Sequence, residues 1–107
     1  MTDTELPPLD KDGYLINLQD WSPEVATELA AREKITLDER HWEIITLIQK
    51  FYHEFELSPA SRPLVRYVQQ HLGAEKGRSI YLMQLFAPHP ALLVSKIAGL
   101  PRPANCF

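Results

Sequence analysis

Residues 36–55, TLDERHWEIITLIQKFYHEF, decide the fold more clearly than any other stretch of the chain. Ile44, Ile48, Phe51 and Phe55 recur at the spacing of one helix face, and further large apolar residues flank them. Such a wide apolar face is typical of a helix at the centre of a domain. The stretch therefore predicts a long, central helix around which the other elements pack.

Helix start signals recur on both sides of this stretch. Thr36 and Glu39 have the spacing of a capping box for the central helix. The four remaining helices are predicted from capping residues, prolines and apolar spacing. Their expected starts are Ser22-Pro23, Ser61, Ser79 and about Ala91, and the first of them is expected to end near Lys34.

The apolar residues of the later helices predict which sides are buried. The third helix should bury Leu64, Val65, Val68 and Leu72 and expose Arg62, Arg66, Gln69 and Gln70. The short fourth helix should bury Ile80, Met83 and Phe86, and the last helix Leu93, Val94 and Ile97.

The first residues of the chain carry turn and strand signals. Asp10-Lys11-Asp12-Gly13 predicts a turn, and residues 14–17 have strand character. We therefore expect a small N-terminal β-hairpin or a lone strand. The predicted fold class is mainly α: a compact bundle of about five helices, one helical docking domain over residues 1–98, and a C-terminal arm.

The arm is predicted over residues 99–107. Gly99 should stop the last helix, and Pro101 and Pro103 forbid a new one. An extended, mobile segment with Cys106 near its tip is expected, with a reach of roughly 20 Å at the polyproline rise. A cysteine near a chain end is by itself compatible with no function at all.

Composition sets broad limits on the 107-residue chain. Its longest apolar runs are too short to span a membrane, and its N-terminus lacks the pattern of a secretory signal. A single cysteine forbids an internal disulfide and suits a reducing compartment. The sequence therefore predicts a cytoplasmic protein of one domain that acts away from membranes.

Charge is unevenly distributed along the chain. Residues 1–57 hold five Lys or Arg against thirteen Asp or Glu, whereas residues 58–107 hold six against one. The basic half favours either an acidic or nucleic-acid partner, or simply two solvated faces of opposite sign. The candidate docking residues are Arg62, Arg66, Lys76, Arg78, Lys96 and Arg102.

Several segments together resemble one known family. They read SPASRPLV at 58–65, LGAEKGRS at 72–79 and KIAGLPRP at 96–103, with Cys106 next to last. The N-terminal half agrees through residues 12–15, Trp21 and residues 41–43. The chain resembles the TusE/DsrC family of sulfur-relay proteins over nearly its whole length, and the tail is the most specific part of the match.

The resemblance implies a sulfur carrier in which Cys106 accepts sulfane sulfur as a persulfide. The implied donor is a TusBCD-like complex, and the implied acceptor is the tRNA-thiolating enzyme that makes 2-thiouridine at the wobble position. The DsrC branch has a second tail cysteine where this chain has Ser95, so the resemblance is closer to TusE. Cations near the thiol, such as Arg102, favour the reactive thiolate.

Other functions are less consistent with the sequence. A DsrC-like subunit or regulatory partner of a sulfite reductase is the main alternative. A helix-turn-helix protein with Arg62 and Arg66 facing DNA is less favoured, because such proteins are usually basic overall. Lys76 to Ser79 could surround an anion or form an ordinary basic turn. The four histidines lack a ligand spacing, and no cofactor motif occurs, so we expect neither metal nor cofactor.

Overall fold

The last helix, and not the long helix predicted over residues 36–55, lies at the centre of the fold. The structure is a computed structural model that describes residues 6–103. Five helices, α1 to α5, follow a short 3-10 turn at Leu18–Asp20, which confirms the predicted mainly helical fold. α5 contacts each of the other four helices. The helices span Pro23–Arg32, Glu39–Phe55, Ser61–Leu72, Ser79–Phe86 and Pro90–Ile97.

Apolar residues on almost every side of α5 explain its central place. Leu93, Val94 and Ile97 are buried as predicted, and α2 supplies Ile44, Ile48 and Phe51 to the same core. Burial of such side chains contributes about 1.5–3 kcal/mol each. The tail therefore leaves the domain from the end of its most enclosed helix.

The predicted N-terminal hairpin or strand is wrong for the described residues. The turn at residues 10–13 forms, and the Asp10 carboxylate accepts the backbone N–H groups of Asp12 and Tyr14. Only one antiparallel bridge joins Leu9 to Leu15. Pro8 has no N–H to donate to a longer ladder, and the chain turns into the 3-10 segment soon after.

The start of α1 is as predicted, but the predicted capping box of α2 is wrong. Ser22 caps α1, with Pro23 in the first turn. α2 is capped by Asp38, not Thr36, and Nδ1 of His41 accepts the Asp38 backbone N–H at 3.1 Å. His41 replaces Glu39 in the reciprocal bond, and aspartate is the stronger capping residue.

The cap residues of α3 and α4 also differ from prediction. Ser61 and Ser79 are the first helical residues, and the cap positions are Ala60 and Arg78. Neither cap side chain accepts a hydrogen bond from its helix. A serine before a run of spaced apolar residues therefore predicts the start of each helix to within one residue. The serine itself is not the cap.

The predicted buried face of α4 is partly wrong. Phe86 is buried, but Ile80 is 62% exposed and Met83 43% exposed; Leu82 and Leu85 fill the core instead. The sequence SIYLMQLF is apolar on most sides, so its spacing does not decide which side faces inward.

The last turn of α2 is also more exposed than predicted. Phe55, predicted to lie on the buried face of α2, is 48% exposed. It is the final residue of α2, directly before the left-handed residue Glu56 that ends the helix. The helix thus runs past the edge of the core by about one turn.

Candidate functional site: the base of the C-terminal tail

Two backbone hydrogen bonds close the C-terminal end of α5. The Gly99 N–H donates to the Lys96 carbonyl at 3.1 Å, and the Leu100 N–H donates to the Ser95 carbonyl at 2.9 Å. Gly99 has φ +78°, the left-handed conformation that glycine adopts most easily. This is a Schellman motif, which satisfies helix carbonyls that would otherwise lack partners.

Side chains from two distant elements bind the next carbonyls. Trp21 Nε1 donates to the Ile97 carbonyl at 2.8 Å, and Gln49 Nε2 donates to the Ala98 carbonyl at 3.0 Å. A Cβ on Gly99 would lie 2.5 Å from Cδ1 of Trp21. The indole therefore lies directly on the glycine. Sequence reasoning missed both donors; the only signal was that a tryptophan N–H usually finds a partner when buried.

The tail remains attached to the domain beyond the helix. The Ser58 hydroxyl donates a hydrogen bond to the Pro101 carbonyl, and Pro103 is buried. Gly99, Leu100 and Pro103 are thus buried against the domain, whereas Pro101 and Arg102 are exposed, and the predicted mobile arm is not supported for residues 99–103. Cys106 lies outside the described residues.

Two of the six predicted docking cations form ion pairs with the acidic half of the chain. Lys76 Nζ lies 2.8 Å from Glu43 Oε1, and Lys96 Nζ lies 3.1 Å from Glu33 Oε2. The hydrogen bond to Glu43 raises the pKa of Lys76. Part of the charge asymmetry is therefore neutralised inside the fold, and these two lysines are less available to a partner.

Three exposed arginines lie on α3 and directly before α4. Arg62 and Arg66 on α3 and Arg78 before α4 are exposed, and none of them forms an ion pair within residues 6–103. Arg62 and Arg66 line a groove of about 290 Å³, together with Ser61, Val65, Gln69 and Ser79. The predicted outward side of α3 is confirmed by the exposure of Arg62, Arg66, Gln69 and Gln70.

Arg102 lies apart from these three, beside Tyr14. The Tyr14 hydroxyl donates to the Leu92 carbonyl at 3.0 Å, and burial raises the pKa of Tyr14 to about 12. A cavity of about 310 Å³ has Arg102, Lys96 and Tyr14 among its lining residues. The predicted docking residues thus separate into an arginine group on α3 and α4, a paired Lys76, and a pair at the tail base.

Comparison with known proteins identifies the family. The family model described as "DsrC like protein" matches residues 2–107. The chain belongs to this family. It is 50% identical over 98 residues to Sulfurtransferase TusE of Sodalis glossinidius, covering 92% of this chain and 91% of the relative. Sulfurtransferase TusE of Photorhabdus laumondii is 52% identical over 98 residues, with 92% and 88% covered.

Two solved DsrC structures share the fold. DsrC of Allochromatium vinosum has a TM-score of 0.84 and 43% identity, covering 92% of this chain and 88% of its own. The oxidized γ-subunit of the dissimilatory sulfite reductase, DsrC of Archaeoglobus fulgidus, has a TM-score of 0.81 and 32% identity, covering 94% and 92%. The chain is thus similar both to proteins described as sulfurtransferases and to a protein described as a reductase subunit.

Ser95 bears on which of these groups the chain resembles more. It lies on α5, at the position where the resemblance in sequence implies a second tail cysteine in the DsrC branch. Its side chain is fully buried, and its hydroxyl has no hydrogen-bond partner among the described residues. This buried position is therefore occupied by a serine, which cannot form a disulfide.

Proposed function

We propose that this protein is a carrier in a sulfur relay and that Cys106 holds the transferred sulfur. The chain's only cysteine follows, by three residues, a tail base that is fixed to the domain as far as Pro103. Relatives about 50% identical over nearly the whole chain are sulfurtransferases named TusE. This combination of a sulfurtransferase family and a single tail thiol carries the proposal.

The proposed transfer needs one thiolate and no change in net oxidation state. The Cys106 thiolate attacks the outer sulfur of a donor persulfide, a new S–S bond forms, and the donor's own S–S bond breaks. The donor leaves as a thiolate, and Cys106 holds the persulfide. An acceptor thiolate then attacks the outer sulfur in the same way and releases Cys106 as a thiolate.

The fixed tail base limits how far the reacting sulfur lies from the docked domain. Three residues of chain span at most about 11 Å, whatever their conformation. The reach of roughly 20 Å that the sequence predicts would require a tail that is free from Gly99 onward. A partner must therefore bring its reacting cysteine close to the tail base, so the domain surface near Pro103 takes part in recognition.

The proposed partners are those that the resemblance to TusE implies. We propose that a TusBCD-like complex donates the sulfur and that a tRNA 2-thiouridylase, together with its tRNA, accepts it for wobble-uridine thiolation. The reductase subunit of Archaeoglobus fulgidus supports a second candidate, a DsrC-like partner of a sulfite reductase. Ser95 favours the first, since a two-cysteine cycle needs a thiol at that position.

A complementation experiment tests the proposed pathway. A strain lacking this protein receives the wild-type gene or Cys106→Ser, and the 2-thiouridine content of its tRNA is measured. We expect wild type to restore thiolation and Cys106→Ser to restore none at equal protein level. Full thiolation with Cys106→Ser would contradict the carrier role, and normal thiolation in the deletion strain would favour the reductase-associated candidate.

A further inference from the structure

A side of the domain that the tail chemistry does not use carries exposed apolar residues next to cations. Ile80 is 62% exposed and Met83 is 43% exposed, one helical turn apart on α4. The exposed Arg78 stands directly before this helix, and Arg62 and Arg66 lie across the groove on α3. We call these five residues the α3–α4 surface.

The two halves of this surface are held in a fixed relation. Gly77 is buried against α3, where an added Cβ would lie 2.3 Å from the Cα of Gln69. Only glycine fits at this close approach of backbone to backbone. The turn before α4 is therefore pressed on α3, and Ser79, which lies between Arg78 and Ile80 in the sequence, lines the groove.

The α3–α4 surface lies close to the tail base. Ser61 lines the groove and also a neighbouring cavity of about 200 Å³ that reaches Met83. Three residues before Ser61, Ser58 donates its hydroxyl to the Pro101 carbonyl. The surface thus begins three residues along the chain from the residue that holds the tail.

We propose that the α3–α4 surface docks a protein partner whose surface carries acidic side chains around an apolar ridge. This inference rests on the proposed sulfur-carrier function and adds the site and chemistry of recognition. Charge complementarity selects the acidic partner, because arginine binds carboxylates through two parallel hydrogen bonds. Ile80 and Met83 select the apolar ridge, and a flexible methionine adapts to different partner surfaces.

A protein partner fits this surface better than RNA does. Protein interfaces combine an apolar centre with a polar rim and are enriched in methionine and arginine. Single-stranded RNA is usually bound by exposed aromatic rings in a cationic groove. On α4 the aromatic side chains are half-buried at Tyr81 and buried at Phe86.

Binding of the purified relay proteins tests the proposal. The probes are the TusBCD-like donor complex and the tRNA-free thiolating enzyme, and every variant carries Cys106→Ser so that no covalent sulfur exchange occurs. Arg62→Glu with Arg66→Glu, and Ile80→Ser with Met83→Ser, should each weaken binding to at least one probe by about tenfold or more. The loss of affinity in the arginine variant should be smaller at high salt, because ions screen exposed charges.

Two controls separate this proposal from the carrier function. Arg32→Glu with Lys50→Glu makes the same change in net charge on other exposed positions, and we expect its binding to stay within about twofold of the parent. With Cys106 restored, loading of the docking variants by inorganic polysulfide should equal that of wild type. If the wild-type protein failed to take up sulfur from polysulfide, that result would contradict the carrier function. It would leave the docking proposal intact, because binding is measured without the thiol.

The proposal is overturned if either docking variant binds both proteins as tightly as the parent does. It is also overturned if the arginine variant weakens binding only to free tRNA, which would assign the surface to nucleic acid. A loss as large in the control variant would indicate a general charge effect and would equally contradict a specific site.

Discussion

Substitution of Gly99 by alanine should damage the tail base in two ways. Gly99 has φ +78°, and a non-glycine residue in the left-handed region costs about 1–2 kcal/mol. The new Cβ would lie 2.5 Å from Cδ1 and 2.7 Å from Cγ of Trp21, so the indole must move. Movement breaks the 2.8 Å bond from Trp21 to the Ile97 carbonyl, worth about 1 kcal/mol. The free energy of unfolding should fall by about 2–3 kcal/mol in total.

Gly13→Ala is the matched control for this prediction. Gly13 has φ +88°, so it carries a similar backbone cost, but its Cβ would meet only the flexible end of Lys96 at 3.4 Å. Urea denaturation of both variants separates the two terms, and hydrogen exchange of the Leu100 amide reports on the tail base itself. Equal losses of stability, within about 0.5 kcal/mol, would refute the argument that Trp21 lies tightly on Gly99.

Three further predictions concern single positions. Ser95→Ala should raise the free energy of unfolding by about 1 kcal/mol, because it removes a buried hydroxyl without a partner among the described residues; a loss in urea denaturation would mean that the hydroxyl is bonded. Asp38→Ala should cost about 1 kcal/mol, and Thr36→Ala close to nothing, since Asp38 caps α2; the reverse order would restore the predicted capping box. Burial raises the pKa of Tyr14 from 10.0 to about 12, so its stabilising contribution is complete below pH 10 and is lost as pH rises towards 12. Tyr14→Phe should reduce the loss of unfolding free energy at alkaline pH by about 2 kcal/mol. An unchanged dependence of stability on pH would contradict the raised pKa of Tyr14.

The helices could be predicted because their signals are local. Ser22 and Pro23 start α1 as expected, and the apolar spacing of α2 places Ile44 and Ile48 in the core. The local signals were ambiguous where two residues compete for one role, as Thr36 and Asp38 do before α2. The cap is set by the residue at which the packed helix begins. That position depends on the whole fold.

The candidate site was harder to predict because long-range contacts form it. The sequence indicated Cys106, the stop at Gly99 and the basic residues, since these are properties of single positions. It could not indicate that Trp21 bonds the end of α5 from 76 residues away, or that Lys96 pairs with Glu33, 63 residues away. The exposure of Ile80 and Met83 depends likewise on the side from which α5 meets α4.

The central claim is that Cys106 carries sulfur, and intact-protein mass spectrometry tests it most directly. The protein is incubated with a cysteine desulfurase, cysteine and the intermediate relay proteins, and Cys106→Ser is treated in parallel. The account predicts a gain of one sulfur atom, about 32 Da, that appears only with Cys106 and is removed by reductant. No gain, with the donor shown to be charged with sulfur, would contradict the account.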